Sequence, residues 1–137
     1  MHGRYLVVAG ISEVTNAFAG IGVPTAVLFD AHSGKQLQVM KPEDGFKGTL
    51  WSVRMHPSGA FLVGAGGGGN GMLWFWKPGE EKAFFSFKLP SVAYDLDFHP
   101  DGFRLAVALY DKTVRLYDLG PQLNVATPDA SKPAAGK

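Results

Sequence analysis

The sequence predicts an all-β protein laid out as a row of small antiparallel sheets, and two observations carry that prediction. The segment Trp51-Ser52-Val53-Arg54-Met55-His56-Pro57-Ser58-Gly59 returns 43 residues later as Tyr94-Asp95-Leu96-Asp97-Phe98-His99-Pro100-Asp101-Gly102. A fixed period of this length, with several strands per unit, marks repeated β units that cannot hide their apolar faces alone. In addition, no stretch sustains a 3.6-residue apolar period, whereas period-two alternation is clear.

The elements follow in order. Gly3-Arg4-Tyr5-Leu6-Val7-Val8 opens the chain as a strand, and Thr25-Ala26-Val27-Leu28-Phe29-Asp30 is its partner. The turn Asp30-Ala31-His32-Ser33-Gly34 leads into a further strand over residues 35–40. The second unit begins with residues 51–55, where Trp51, Val53 and Met55 alternate with Ser52 and Arg54. That pattern predicts one buried face. His56, Pro57 and Gly59 make a turn, followed by the run Ala60-Phe61-Leu62-Val63. Residues 72–76 are apolar throughout, as in a strand covered on both faces. Lys77-Pro78-Gly79 turns the chain into a fourth strand at residues 83–87. The third unit repeats the order. Val92, Tyr94, Leu96 and Phe98 alternate with Ala93, Asp95 and Asp97, and a His99-Pro100-x-Gly102 turn follows. Then come runs at 103–107 and 113–118.

This arrangement resembles the WD-repeat β-propeller family over roughly residues 3–119. The resemblance lies in the order strand, Pro-x-Gly turn, strand, tight loop, strand ending in an aromatic and Asp, turn, outer strand. The aromatic-Asp ending stands as Phe29-Asp30 and Tyr117-Asp118, with Trp76-Lys77 in the middle unit. Asp111 sits where the family places a turn aspartate, and Asn70 replaces it in the middle unit. The family's Gly-His pair before the first strand is absent. The resemblance implies consecutive four-stranded antiparallel blades in a partial ring of about 2.5–3 blades. It also implies a non-catalytic scaffold for protein–protein interaction.

Residues 1–120 are expected to form the blades. Residues 121–137, rich in Pro, Ala and Lys, are expected to be a disordered tail. The net charge of +1 gives no basis for bulk nucleic-acid binding. With no cysteine there is no disulfide, thiolate metal site or Cys nucleophile. No apolar run nears the ~20 residues of a membrane span. The absence of a leader pattern and of disulfides makes a reducing, cytoplasmic location the default.

The chain opens at the second strand of a unit, with Met1-His2-Gly3 in the place of a turn, and closes on a third strand. The strand count is three, four and three. Each uncovered end sheet presents about 300 Å², a burden for a lone monomer to which Trp74, Phe75 and Trp76 are expected to add. Further blades of the same propeller, or another copy of the chain, are therefore expected partners.

Several motifs invite chemistry. Residues 64–69 satisfy G-x-G-x-x-G, but a strand rather than a helix follows, so no pyrophosphate site is formed. These glycines are expected to make a permissive connection with positive φ. His56 and His99 fall in turns of adjacent blades and read as turn residues rather than metal ligands. Asp95 and Asp97 share a strand face, and Arg54 occupies the position equivalent to Asp97, which predicts charge pairing. No Ser-His-Asp arrangement, metal site or cofactor site emerges. The aromatic residues, Trp51 included, are expected in the core.

Loop length singles out one face. The connections between second and third strands are expected to span residues 11–24 in the first unit and 64–71 in the second, with a tight turn in the third. The link over residues 41–49 opens on the same side. Binding concentrates on variable loops held by a rigid scaffold, so Glu13, Asn16, Phe18, Glu43, Asp44, Phe46 and Lys47 are the candidate partner-binding residues. Two other readings are a share of an enzyme propeller of lactonase or quinoprotein type, with a central ligand or metal, and a self-associating structural unit.

Overall fold

The computed structural model describes residues 3–16, 18–42 and 45–120. Ten strands run in chain order: β1 (Tyr5–Asn16), β2 (Ile21–Asp30), β3 (Gln36–Met40), β4 (Thr49–Met55), β5 (Leu62–Gly67), β6 (Gly71–Trp76), β7 (Phe85–Leu89), β8 (Ala93–Phe98), β9 (Arg104–Leu109) and β10 (Val114–Asp118). They form three antiparallel sheets in the orders β1-β2-β3, β4-β5-β6-β7 and β8-β9-β10. The count of three, four and three agrees with the sequence reading. The expected tail lies outside the described residues.

The sheets stack face to face, and two apolar layers hold them. Ala26, Leu28 and Met40 of the first blade meet Leu62, Trp74 and Trp76 of the second. On its other side the second blade offers Val63, Leu73 and Phe75 to Leu105, Val107 and Tyr117 of the third. The middle blade is thus covered on both faces. Trp74, Phe75 and Trp76 are at most 1% exposed, a correction to the expectation that they would burden an open end. That burden falls on Leu6 and Val8 at one end and on Val114 and Leu116 at the other, all more than 40% exposed. Truncating a buried Trp to Ala costs about 3–5 kcal/mol. The indole N–H of Trp76 is satisfied by the carbonyl of Lys41 at 2.8 Å, so its burial leaves no polar atom stranded.

Three expectations about local structure need correcting. Residues 11–24 are not one long loop. β1 and β2 continue as a hairpin as far as Asn16 and Ile21, with a register shift between Ser12 and Asn16. Residues 64–67 likewise belong to β5, paired with β6 from Leu62↔Trp76 to Gly67↔Gly71, which leaves residues 68–70 as the connection. Only Gly67 of the 64–69 run has positive φ, at 149°. The other requirement is space. A Cβ on Gly64 would stand 2.7 Å from the Trp76 ring, and one on Gly66 would stand 2.1 Å from the Thr49 carbonyl oxygen.

The third correction concerns the inner strands. β4 carries a register shift between Leu50 and Ser52, and β8 carries the same shift between Ala93 and Asp95. The bulged residues are Trp51 and Tyr94, one repeat apart. Each bulge breaks the alternation, because the extra residue turns outward. Leu50, Val53, Ala93 and Leu96 are buried, while Trp51 is 53% and Tyr94 45% exposed. These two aromatics are therefore not core.

The Pro-x-Gly turns lie at the opposite end of the strands. His56 is buried and bridges two blades. One ring nitrogen, Nε2, lies 2.8 Å from the Gly102 carbonyl oxygen, and Nδ1 lies 2.7 Å from Ser58 Oγ. Its ring stacks on Phe61 at 4.4 Å. The equivalent His99 is exposed and stays local, with Nδ1 2.9 Å from Asp101 Oδ2.

Candidate functional site

The hairpin end at Asn16–Ile21, the link into β4, the β5–β6 connection and the β9–β10 turn all gather at one rim. The link is riveted to the hairpin. Gly48 N–H donates to the Gly22 carbonyl at 2.8 Å, and Thr49 Oγ1 donates to the Gly20 carbonyl at 2.8 Å. Between these pieces lies a cavity of about 420 Å³ lined by Ile21, Lys47, Thr49, Trp51, Gly68 and Tyr94.

Its walls follow from the repeat. Trp51 and Tyr94 occupy the same bulge in consecutive blades and meet edge to face, with centroids 5.5 Å apart. Tyr94 in turn meets Tyr110 at 6.0 Å. Position 67 is the second-blade counterpart of Tyr110, and there the chain has glycine. The cavity therefore opens beside the Trp51 indole over Gly67, Gly68 and Gly69. Such a surface offers aromatic faces, amide donors and acceptors, and one ammonium from Lys47.

The sequence-nominated residues are distributed unevenly around this site. Lys47 lines it. Phe18 stands fully exposed on the hairpin tip beside it. Asn16 shapes the tip, its Oδ1 accepting from Ala19 N–H at 3.2 Å. Glu13 is ion-paired with Lys41 at 2.5 Å. Its carboxyl is held below the ordinary range by the Lys41 hydrogen bond and charge, with Lys47 adding a weaker pull. Phe46 is half-buried and packs edge-on against Trp74 at 5.0 Å, so its ring is engaged in the interblade layer. Glu43 and Asp44 lie outside the described residues. The sequence reading places Trp51 and Tyr94 in the core and Tyr110 in a tight turn, whereas all three rings stand on the surface. The 43-residue recurrence of an aromatic at the bulge was the available signal, and it was read as core alternation.

The other candidate chemistry resolves into structure. Arg54 reaches the expected Asp97, 3.9 Å from its Oδ1, and also lies 3.5 Å from Asp95 Oδ1. Ser52 Oγ donates to Asp95 at 2.7 Å. Asp111 holds its turn by accepting from Thr113 N–H at 3.0 Å. Asp118 accepts from Gly120 N–H at 2.9 Å. Among the described residues, no group of three or more His, Asp or Glu could hold a metal ion. Gln38 is a further blade-to-blade tie that sequence reasoning missed. Its amide donates to the Glu80 carbonyl at 2.7 Å, and its Oε1 accepts from Gly79 N–H at 2.7 Å.

Known proteins bear on this geometry at two levels. No curated protein matches the chain. Among solved structures, the chain is similar to the β-propeller domain of Cps50 (Swd1) from Myceliophteria thermophila, with a TM-score of 0.56 at 17% identity. The match covers 84% of this chain but 39% of that one, so the chain spans well under half of the propeller it resembles. At that identity the likeness establishes the fold. The family model for the WD domain, G-beta repeat, matches residues 34–77 and 85–118, together more than half of the chain. Each match takes the outer strand of one sheet and the first three strands of the next. The covalent repeat therefore hooks neighbouring blades together, and on these matches the chain belongs to the WD40 family of β-propeller repeats.

Proposed function

We propose that the chain is part of a non-catalytic scaffold that binds protein partners at the loop rim, and that its end faces are completed by other blades. The observation that carries this reading is the exposed Trp51–Tyr94 pair. A solvent-facing Trp placed by a bulge, beside a cavity floored with glycine backbone, costs exposed apolar area and lies outside the two buried interblade clusters, touching the next blade edge-on at Tyr94. Trp and Tyr in such settings are the residue types that dominate binding energy at protein interfaces. The fully exposed Phe18 and the Lys47 ammonium extend the same surface.

The test compares wild type with Trp51→Ala, Tyr94→Ala and Phe18→Ala in crosslinked affinity purification from the source cells. Partners recovered by wild type are expected to fall about tenfold or more with Trp51→Ala, while the thermal melt stays near that of wild type. Recovery of the same partners in full by all three variants would remove the rim as the binding site.

A further inference from the structure

We infer that the rim cavity receives one aromatic side chain of a partner polypeptide, set edge-on against the Trp51 indole. This rests on the reading that the rim binds a protein partner, and adds the chemistry of what enters. The third blade supplies the template. There Tyr94 stands at the bulge of the inner strand, and the Tyr110 ring meets it edge to face, with centroids 6.0 Å apart. Tyr110 is 68% exposed, so its ring lies on the rim and outside the interblade layers. The backbone sets its place, since Tyr110 N–H donates to the Val92 carbonyl at 2.8 Å.

The second blade has the same frame. Trp51 is its bulged residue, and Thr49 precedes Val92 by one repeat of 43 residues. Thr49 pairs with Gly67, so Gly67 holds the place that Tyr110 has in the next blade. Glycine brings no ring, and a larger residue there is opposed twice. Its φ is +149°, and a Cβ would run into the Asn70 carbonyl oxygen. Thr49, Trp51 and Gly67 all line the cavity. The cavity therefore lies beside Trp51 where the Tyr110 ring lies beside Tyr94.

Size and charge select the occupant. The volume of about 420 Å³ falls in the range in which proteins enclose small groups, and Ile21 and Val92 add apolar wall. The hairpin side is already fixed by the hydrogen bonds from Thr49 to Gly20 and from Gly48 to Gly22. Lys47 is the one charged side chain in the lining among the described residues. Its ammonium is attracted to the face of an aromatic ring. It also repels a cationic side chain, which an exposed Trp–Tyr pair would otherwise attract.

Nitrogen-15 NMR of the full chain tests this with three blocked tripeptides, acetyl-Gly-Tyr-Gly-amide and its Leu and Arg counterparts. The Trp51 indole N–H is identified by its loss in Trp51→Leu, and the Gly68 and Gly69 amides report from the cavity floor. The Tyr tripeptide is expected to shift all three signals along one saturating curve. It should bind about two- to tenfold more tightly than the Leu tripeptide, the scale of one edge-to-face pair. The Arg tripeptide should bind no better than the Leu one. Trp51→Leu should bring the Tyr tripeptide down to the Leu level, read from the two glycine amides, with circular dichroism melts to check that the variant is folded. Equal binding of the Tyr and Leu tripeptides, tighter binding of the Arg one, or undiminished binding to Trp51→Leu would each overturn the proposal. So would a Tyr shift confined to the indole and linear in concentration. Partners that are lost with Trp51→Ala while the Tyr tripeptide fails to bind would leave the rim reading standing and remove this one.

Discussion

His56 and Gly102 belong to turns of successive blades, and the imidazole of one lies 2.8 Å from the carbonyl of the other only because Gly102 has no side chain. The contact uses the histidine of one Pro-x-Gly turn and the glycine of the next. The imidazole of the second-blade turn reaches forward, and the glycine of the third-blade turn receives it.

Replacing Gly102 by Ala should therefore destabilise twice over. The residue has φ +77°, which L side chains resist, and its Cβ would press on the imidazole at 2.9 Å. The expected loss is about 2–4 kcal/mol. Gly79→Ala is the control, since it has φ +85° and nothing within 4 Å, and should cost about 1 kcal/mol. Urea titration of both variants measures the difference. Equal losses would mean that the imidazole contact carries no weight.

Gly64→Ala probes packing without backbone strain. Its Cβ would meet the Trp76 ring at 2.7 Å and Leu50 Cδ1 at 2.8 Å. Overpacking of this kind costs about 1–3 kcal/mol, whereas Gly69→Ala, with nothing within 4 Å, should be close to neutral. Trp fluorescence during urea unfolding reports both.

Arg54→Ala should change stability by less than about 1 kcal/mol. Its partners Asp95 and Asp97 have side chains 63% and 82% exposed, so solvent screens both ion pairs. Thermal melts should show that small difference at low salt and a still smaller one at high salt. A loss several times larger would show that the inner-strand face is closed to water.

Acid should loosen the turns. Ser33 N–H and hydroxyl hydrogen bonds hold the Asp30 carboxyl below its usual 3.8, with smaller help from His32 N–H and Arg4. Asp101 is lowered chiefly by Phe103 N–H and also by Arg104 and His99. A carboxylate lowered on folding stabilises above its unfolded value, and that stabilisation is lost as pH falls through the folded value. The melting temperature should drop between about pH 5 and about pH 2, and Asp30→Asn should drop less steeply than wild type.

Much of the architecture was legible because alternation and Pro-x-Gly turns report directly on strands and their ends. The three blades, and the Arg54 contact with Asp97, came from those signals. What escaped was whatever breaks the period. A bulge at Trp51 reverses which residues face inward without altering composition, so an exposed indole reads as core. Glycine carries no alternation at all, so residues 64–67 look like a loop although they pair through β5. The hairpin beyond Gly10 was hidden for the same reason, since Gly20, Gly22 and Pro24 resemble punctuation while the ladder runs on. Among the rim residues, Lys47 and Phe18 were accessible to reasoning from loop position, whereas the Trp51–Tyr94 wall required the register.

Among the described residues only the central sheet has a neighbour on either side, and this sets the order in which these three sheets come apart. Amides of β5 and β6 should exchange with deuterium last, after those of β1 and β10, whose outer edges are unpaired among the described residues. Protease would then trim inward from both flanks, and the last remnant to resist would be the sheet bearing the two buried tryptophans.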